Sequence, residues 1–512
     1  MTMNFESDAG FALQPIGTVG RRTGANGWVI LTLLFAAAIG MRLLVAANSD
    51  VSWLLIAGER WLDGQRLYSD ILETNPPMAV LVYVPGLLLA RAVGLPAEVV
   101  IDGLVFAALA LSLAASALIL RRSTALSAEQ RWPLAIAALL VLAVLPAQSF
   151  GQREHIAVIE LMPVFAVLAL RINHETPPRW GALMAGLGLG LALCFKPHFA
   201  LAMMGVFAVV AARVRSLRTL CALETVVAAA VLAIYGTCTV LFFPEYFSEI
   251  WPLIRDIYSV GLPFHRMVMK PAVVLWALTL ATTILLRRDS TVRPTLLLLF
   301  AGSFAFALVY LLQRKGWPYH SYPMMAFAWL GFGYAIGARE SGRTSQSSWQ
   351  SSWRGVGTSA AAAALFMVAI VWFNHVIDAR FLQPAIARLG LAHPTILAIS
   401  GNGGVAHPLT RAVGGVWASR QQSLLVASYD EYVRETETDP RRLALFESYL
   451  QRERSWMIDD FKRTNPTIVL VDRATGNWDQ WLRASPELVR MLGGYRLFET
   501  VGNVDIYVRR AN

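Results

Sequence analysis

Long apolar runs recur along this 512-residue chain from Trp28 to Phe373 and then stop. They approach the roughly 20 residues that an α-helix needs to cross a hydrocarbon core about 30 Å thick. A mean hydropathy of +0.50, with 56% hydrophobic and 15% charged residues, excludes an ordinary soluble protein of this length. We therefore predict a polytopic α-helical membrane protein.

Eleven of these runs are predicted to cross the membrane. They cover residues 28–47, 99–120, 132–148, 156–170, 180–195, 199–212, 220–243, 271–286, 294–312, 322–337 and 355–373. The run 78–95 is left out because Pro85-Gly86 interrupts it and Arg91 lies near its end. We predict that this run lies on the outer face or dips into it, since a further crossing would reverse every later loop.

The net charge of +10 would be compatible with a nucleic-acid partner, but the distribution of the charges along the chain argues against one. Basic and acidic residues nearly balance within 374–512, so the excess lies in the membrane part and mostly in one set of loops. The positive-inside rule then predicts a cytoplasmic N-terminal tail, residues 1–27, and a transmembrane domain, residues 28–373. Residues 374–512 are predicted to lie on the opposite, outer side of the membrane.

Those last residues predict a small α/β domain. Strands are predicted at Thr395–Ser400, Ser423–Ser428, Thr467–Asp472, Tyr495–Val501 and Val504–Arg509, and helices at Arg441–Arg463 and Trp478–Leu492. Cys194, Cys221 and Cys238 all fall in or beside apolar spans, so no disulfide framework or thiolate metal site is expected.

The outer loop, residues 48–98, is unusually acidic for a segment that follows a membrane span. Asp50 lies two or three residues after the span, and Tyr68 and Glu73-Thr74-Asn75-Pro76-Pro77 follow. The other predicted outer loops hold further polar side chains, namely Arg153, Glu154, His155, Lys196, His198, Arg314, Lys315, Tyr319 and His320. Acids and bases are thus predicted to converge at the outer membrane surface, where a lipid-anchored donor would expose its phosphate-linked head group.

Such a set of acids and bases is suited to the transfer of a sugar from a polyprenyl phosphate to a hydroxyl group. That reaction requires a base for the acceptor proton and cations for the departing phosphate. Asp50 is the predicted base, and Glu154 is a second acid that orients the acceptor or shares the role. The predicted substrate contacts are Tyr68, Asn75, Arg153, His155, Lys196, His198, Arg314, Lys315, Tyr319 and His320.

Simpler structural roles remain open for several of these residues, and Asp50 itself is also compatible with a solvated carboxylate near a helix end. Arg153 beside Glu154 is also compatible with a surface ion pair, and Lys196 with a helix anchor at the interface. Arg314 and Lys315, near Trp317 and Tyr319, also fit an aromatic belt.

Asp50, the run from Gly58 to Asp70, and Asn75-Pro76-Pro77 resemble the first outer loop of the GT-C superfamily of membrane glycosyltransferases. The likeness is to bacterial family 39-like relatives of protein O-mannosyltransferases and to aminoarabinose transferases of lipid A. Further motifs of that family resemble Gln152–His155, Phe195–His198 and Arg314–Pro323, so the resemblance covers about residues 28–337. It implies an inverting transferase that uses a polyprenyl-phosphate sugar, with Asp50 at the catalytic position.

One position departs from the family pattern. Relatives often have Lys immediately before the Pro-Pro pair, and this chain has Asn75. If that Lys contacts the donor phosphate, then Lys196, Arg314 or Lys315 must supply the charge instead.

Taken with this resemblance, the sequence predicts a hexosyl- or pentosyltransferase of the bacterial inner membrane, with residues 374–512 in the periplasm. It is predicted to act at the periplasmic face on an envelope lipid, polysaccharide or protein acceptor. The alternative is a transporter or flippase of a lipid-linked saccharide, which should have a polar path across the membrane; Glu224 is the only acid well away from the predicted outer face. A non-catalytic scaffold is the third option, and the intact acidic loop argues against it. No cofactor is required in principle, and Asp50 with Glu154 would be a sparse ligand set for a divalent cation that takes about six oxygens.

Overall fold

The computed structural model describes residues 19–124, 126–258, 261–286, 293–340, 349–375, 378–474 and 478–510. Most of the predicted N-terminal tail 1–27, and parts of the predicted cytoplasmic loops 287–293 and 338–354, lie outside the described residues.

The membrane part, residues 19–373, is built from helices joined by short connections. They are α1 (Val19–Leu44), α2 (Ser49–Leu62), α3 (Met78–Leu81), α4 (Val84–Val93), α5 (Ala97–Ile119), α6 (Ala128–Ala143), α7 (Arg153–Ile172), α8 (Arg179–Phe195), α9 (Phe199–Val214), α10 (Leu223–Phe242), α11 (Trp251–Leu253), α12 (Phe264–Val268), α13 (Pro271–Leu286), α14 (Pro294–Gln313), α15 (Tyr322–Glu340) and α16 (Trp349–Phe373).

Each predicted span overlaps one of these helices along most of its length. Within the described residues, five helical segments are long and apolar enough to cross a membrane, namely Gly27–Leu44, Ala97–Ile119, Arg153–Ile172, Leu217–Phe242 and Pro294–Gln313. Further apolar helices are shorter. The predicted class of a helical membrane protein is confirmed, whereas the count of eleven crossings stays a prediction.

The run 78–95 forms two short helices, α3 and α4, which are separated at Val82-Tyr83. Pro85 lies in the first turn of α4, where its missing N–H removes no helical hydrogen bond. Gly86 faces α5 so closely that an added Cβ would lie 2.1 Å from the Ile101 side chain. Helix α4 therefore packs directly on α5, and its placement at the outer face stays a prediction.

Helix α7 is the centre of the membrane part and is buried along almost its whole length. It packs against α5, α8, α9 and α14, and α8 in turn packs against α10. At Gly188 of α8 an added Cβ would lie 2.4 Å from the Glu160 carbonyl oxygen of α7, so only glycine permits this approach. Because α7 is held on all sides, the side chains at its N-terminus are firmly positioned.

The C-terminal region, residues 378–510, combines one 25-residue helix and several short helices with one five-stranded sheet. Its helices are α17 (Gln383–Ala387), α18 (Leu409–Ala412), α19 (Asp430–Thr436), α20 (Pro440–Thr464), α21 (Trp478–Arg483) and α22 (Pro486–Leu492). Its strands are β1 (Thr395–Ile399), β2 (Val416–Trp417), β3 (Ile468–Asp472), β4 (Tyr495–Val501) and β5 (Val504–Arg509). The strand order is β2-β1-β3-β5-β4, with β2, β1 and β3 parallel and β5 antiparallel to both β3 and β4.

The predicted strand Ser423–Ser428 is wrong, and β2 was not predicted. The buried Glu453 carboxylate of α20 accepts hydrogen bonds from the backbone N–H groups of Val426 (2.9 Å) and Ala427 (2.8 Å). Donors used in this way are not available to a neighbouring strand, and a short 3₁₀ turn follows at Ala427–Tyr429. Strand β2 has only two residues, too few to give an alternating pattern.

The C-terminal region rests on the outer loop. The Leu72 N–H donates to the Arg420 carbonyl oxygen (2.7 Å), and Arg60 Nη1 donates to the Ser419 carbonyl oxygen (2.7 Å). Arg411 binds Glu59 (2.6 Å) and also Glu98. These contacts fix the C-terminal region over the predicted outer ends of the helices.

Candidate active site

A cavity of about 1780 Å³ lies between the membrane part and the C-terminal region. The membrane part contributes the outer-loop residues near Asp50 and the starts or ends of several helices. The polar members of that wall include Asn48, Asp50, Glu73, Asn75, Arg153, Lys196, Lys270, Tyr319 and His320. The C-terminal region contributes the rest, including Gly401–Gly404, Gln422, Asp472, Trp478 and Trp481.

The N-termini of α2 and α7 are tied together at this cavity. Asn48 is the N-cap of α2, and its Oδ1 accepts hydrogen bonds from the Asp50 N–H (2.9 Å) and from Gln152 Nε2 (2.5 Å). Gln152 immediately precedes α7. Asp50 and Glu154 therefore lie in the first turns of two adjoining helices, where the helix dipole favours a negative charge.

Asp50 contacts one group from each side of the cavity. Its Oδ2 lies 3.6 Å from Arg153 Nη2, and its Oδ1 accepts a hydrogen bond from Gln422 Nε2 (3.1 Å). Gly403 packs directly on Gln422, since an added Cβ would lie 2.7 Å from that amide. The carboxylate is thus oriented by a residue of the C-terminal region, while about a fifth of its side chain stays exposed.

Glu154 forms a buried pair with Lys196 at the end of α8. Lys196 Nζ lies 2.9 Å from Glu154 Oε1, and both side chains are almost fully buried. Burial lowers the pKa of Lys196, although Glu154 opposes the change. Burial, and then Lys196, also lower the pKa of His320 well below its usual range, so the His320 ring is neutral. Its 3.5 Å approach to Glu154 is consequently not an ion pair.

Two cationic side chains on the cavity wall, Arg153 and Lys270, have N–H donors that no described residue uses. Arg153 is buried, and its Nε and Nη1 have no hydrogen-bond partner among the described residues. Lys270 lines the cavity and forms no ion pair with any residue that the structure describes. A guanidinium with unpaired donors and a free ammonium are suited to phosphate oxygens.

Glu73 organises the turn that ends at the Pro-Pro pair. It is 3% exposed, and its carboxylate accepts from Trp53 Nε1 (2.5 Å), the Asn75 N–H (2.8 Å) and Asn75 Nδ2 (2.5 Å). Tyr68 is also buried, and its hydroxyl donates to the Asn75 carbonyl oxygen (2.8 Å). Asn75 faces the cavity, whereas Tyr68 supports it from behind.

Four other predicted contacts do not line the cavity either. His155 is buried between the Gly151 N–H (3.0 Å) and the Leu142 carbonyl oxygen (2.7 Å), and His198 contacts Gln313 (2.7 Å). Arg314 donates to the Leu262 carbonyl oxygen (2.6 Å). Lys315 donates to the Tyr258 carbonyl oxygen and to the Tyr429 hydroxyl (3.1 Å), and burial lowers its pKa to about 8. Backbone or neighbouring groups occupy these side chains, so they position loops.

Gln422, Lys270 and Glu73 are among the cavity residues that were not predicted as site residues. No sequence pattern indicated Gln422, because it lies 372 residues from Asp50 in a region without a recognised motif. Lys270 is one of only four lysines in the chain and belongs to a predicted outer loop, which was the available signal. Glu73 belonged to the acidic motif, but its burial was not predictable from the pattern.

Among the described residues, no group of three or more His, Cys, Asp or Glu side chains is arranged to hold a metal ion. Asp50 lies beside Arg153, and Glu154 is paired with Lys196. Two acids that are each next to a cation do not form a ligand set for a hard divalent ion. The two acids are therefore not assigned to a metal, and the reaction proposed for this protein uses none.

No protein-family model and no curated protein matches the chain. Solved structures do match. ArnT from Cupriavidus metallidurans, solved with undecaprenyl phosphate, is similar over 95% of this chain and 99% of its own, with 14% identity and a TM-score of 0.55. An Archaeoglobus fulgidus oligosaccharyltransferase matches over 95% of this chain and 74% of its own, at 11% identity and a TM-score of 0.46. The mycobacterial arabinofuranosyltransferase AftD matches over 94% of this chain and 40% of its own, at 13% identity and a TM-score of 0.45.

The near-complete overlap with ArnT defines the class of fold. Both chains are matched almost end to end, so the helical membrane part and the C-terminal region belong to the same architecture. The protein has the fold of the GT-C superfamily of membrane glycosyltransferases. The resemblance predicted from the sequence is confirmed at the level of the fold.

Proposed function

We propose that this protein is a glycosyltransferase that moves a monosaccharide from a polyprenyl-phosphate donor to an envelope acceptor. The observation that carries the proposal is one cavity lined by a carboxylate, Asp50, and by three cations, Arg153, Lys196 and Lys270. The reaction needs a base and phosphate-binding cations together, and both are present there. That ArnT was solved with undecaprenyl phosphate supports a lipid-linked donor.

In the proposed step, the acceptor hydroxyl gives its proton to the Asp50 carboxylate while its oxygen attacks the anomeric carbon of the donor sugar. The bond between that carbon and the phosphate oxygen breaks, and the electron pair leaves with the polyprenyl phosphate. Attack opposite the leaving group inverts the anomeric configuration. Arg153 and Lys270 have donors available for the charge that develops on the phosphate.

Lys196 and Lys270 are the proposed substitutes for the Lys that relatives have at the position of Asn75. Both line the cavity, whereas Arg314 and Lys315 are engaged elsewhere. Lys196 shares its charge with Glu154, so Lys270 is the less committed of the two. We assign Glu154 to the positioning of Lys196.

The transporter alternative is disfavoured by the setting of Glu224. This acid, distant from the predicted outer face, is fully buried and accepts hydrogen bonds from Arg171 at the end of α7. The pair is internally neutralised, so it does not extend the polar cavity across the membrane. A flippase requires a polar route for the whole saccharide head group.

The proposed orientation places the cavity on the periplasmic face of the inner membrane, with the C-terminal region outside. In a background without Cys194, Cys221 and Cys238, single cysteines at Ser69 and Ser428 are expected to react with an impermeant thiol reagent in intact cells. A cysteine at His174, in the exposed turn between α7 and α8, is expected to react only after lysis. Labelling of the His174 site in intact cells would contradict the orientation.

The activity is tested by incubating the purified protein with a panel of radiolabelled polyprenyl-phosphate sugars and envelope extracts. We expect one donor class to yield a labelled envelope product, whose identification would name both sugar and acceptor. Failure of every donor to label any product, in preparations that retain the native fold, would count against the proposal.

A further inference from the structure

The cavity extends from Asp50 onto the C-terminal region, and that wall has the position of a ligand site in an α/β sheet. In the order β2-β1-β3, the chain leaves β1 for β2 on one side and then crosses to β3 on the other. Ligands of open α/β sheets bind outside the carboxyl ends of the strands at such a switch point. Gly401–Gly404, which follow β1, and Asp472-Arg473, at the end of β3, both line the cavity.

The two segments are joined to each other and to Asp50. Ser400 Oγ donates to Asp472 Oδ2 (2.8 Å) at the switch point. Gly403 packs on Gln422, which hydrogen-bonds Asp50. A ligand held at the ends of β1 and β3 would therefore lie in the same cavity as the proposed base.

The chemistry of the side chains in this wall favours a saccharide ligand. Trp478 and Trp481 line the cavity at 4% and 5% exposure, and neither indole N–H has a hydrogen-bond partner among the described residues. Indoles combine an apolar ring with a single donor, which suits the apolar C–H face and hydroxyl rim of a sugar. Asn402 and Gln422 add amide groups to the same wall.

The charges of this wall disfavour an anionic ligand. Each arginine of this wall has an acidic neighbour. Arg434 is paired with Asp430 (2.7 Å) and Glu447 (3.0 Å). Arg473 is paired with Asp505 (2.5 Å), and Arg454 lies 3.8 Å from Glu447. Glu431 and Glu435 are exposed, line the cavity, and form no ion pair with a described residue. A phosphorylated glycan would meet these carboxylates, whereas a neutral one would not be repelled.

We propose that the wall formed by the C-terminal region, around Trp478, Trp481 and the ends of β1 and β3, binds a neutral saccharide of the acceptor. This inference rests on the proposed function for its biological meaning and specifies the acceptor class. Saccharide held there would direct a hydroxyl toward Asp50, while the donor phosphate meets the cations of the membrane part.

Binding is tested on the full-length protein in detergent by ligand-observed NMR. The probes are a neutral hexose tetrasaccharide, the same tetrasaccharide carrying one phosphate, and a neutral peptide of similar mass. We expect the neutral saccharide to bind and the phosphorylated one to bind at least about fivefold more weakly. Equal or tighter binding of the phosphorylated probe or of the peptide would overturn the inference.

Variants locate the binding. Trp478→Phe and Trp481→Phe keep an aromatic ring and remove the N–H, so each is expected to weaken saccharide binding roughly five- to tenfold. The control Trp456→Phe changes a tryptophan of α20 outside the cavity and should leave binding unchanged. Glu431→Gln combined with Glu435→Gln should improve binding of the phosphorylated probe. Unchanged saccharide affinity in both cavity variants would refute the site.

Donor consumption in the same preparations separates this inference from the proposed function. Cavity variants that still bind donor and release its sugar to water, but transfer poorly to the tetrasaccharide, support both. Normal transfer by both cavity variants would sink the acceptor site and leave the transferase standing. A wild-type protein that binds saccharide at these tryptophans but consumes no donor would support the saccharide site and contradict the proposed glycosyltransferase activity.

Discussion

The Asp50→Asn variant is expected to lose nearly all sugar transfer while it folds and binds donor almost normally. Asparagine keeps the size of the side chain and an oxygen for Gln422, but it cannot accept the acceptor proton. General-base assistance is worth about 10²–10⁴ in rate, or roughly 3–5 kcal/mol of barrier. The comparison is initial rates in reconstituted membranes at saturating donor, with donor affinity measured separately.

Asp63→Asn is the matched control for this experiment. Asp63 belongs to the same outer loop, but it is largely exposed, pairs with Arg91 (2.9 Å) and lies outside the cavity. Its activity should stay within about twofold of wild type, because surface ion pairs contribute little. If Asp50→Asn were as active as Asp63→Asn, Asp50 would not be the base.

The Lys196→Ala variant is expected to lose both stability and donor use. It would leave the buried Glu154 carboxylate without its only ion-pair partner among the described lysines and arginines. Breaking one side of a buried pair typically costs about 3–5 kcal/mol. We expect a clear drop in melting temperature in detergent, together with a raised KM for the donor.

A second variant separates the two effects. Lys196→Met combined with Glu154→Gln removes both charges and keeps similar volumes, so thermal stability should largely recover. Donor use should stay impaired if the Lys196 charge serves the phosphate. Wild-type donor kinetics in the double variant would restrict Lys196 to structure and leave Arg153 and Lys270 as the phosphate contacts.

Most helices of the membrane part were predictable from the sequence because membrane spans depend on local composition. Each apolar run from Trp28 to Phe373 has nowhere else to bury its side chains, so its length and position are readable without tertiary knowledge. The positions of Asp50 and Glu154 beside the ends of predicted spans were readable from the same runs, whereas helix α2, which begins beside Asp50, was not predicted.

Features that depend on distant contacts were not predictable in this way. Gln422 reaches Asp50 across an interface in which Leu72 and Arg60 contact the C-terminal region. Polar residues in one motif can also face different ways, since Tyr68 supports the loop from behind while Asn75 faces the cavity. His155 belongs to the same short motif as Glu154, but backbone groups hold it in the core.

The most direct test of the account is a comparison of transfer with translocation by purified protein in sealed proteoliposomes. The vesicles carry a radiolabelled polyprenyl-phosphate sugar that the protein accepts, with the neutral saccharide acceptor supplied on the cavity side. The account predicts that labelled product and free polyprenyl phosphate appear in equal amounts, and that Asp50→Asn stops both. Movement of intact labelled donor across the bilayer without product, unaffected by Asp50→Asn, would contradict it and identify a flippase.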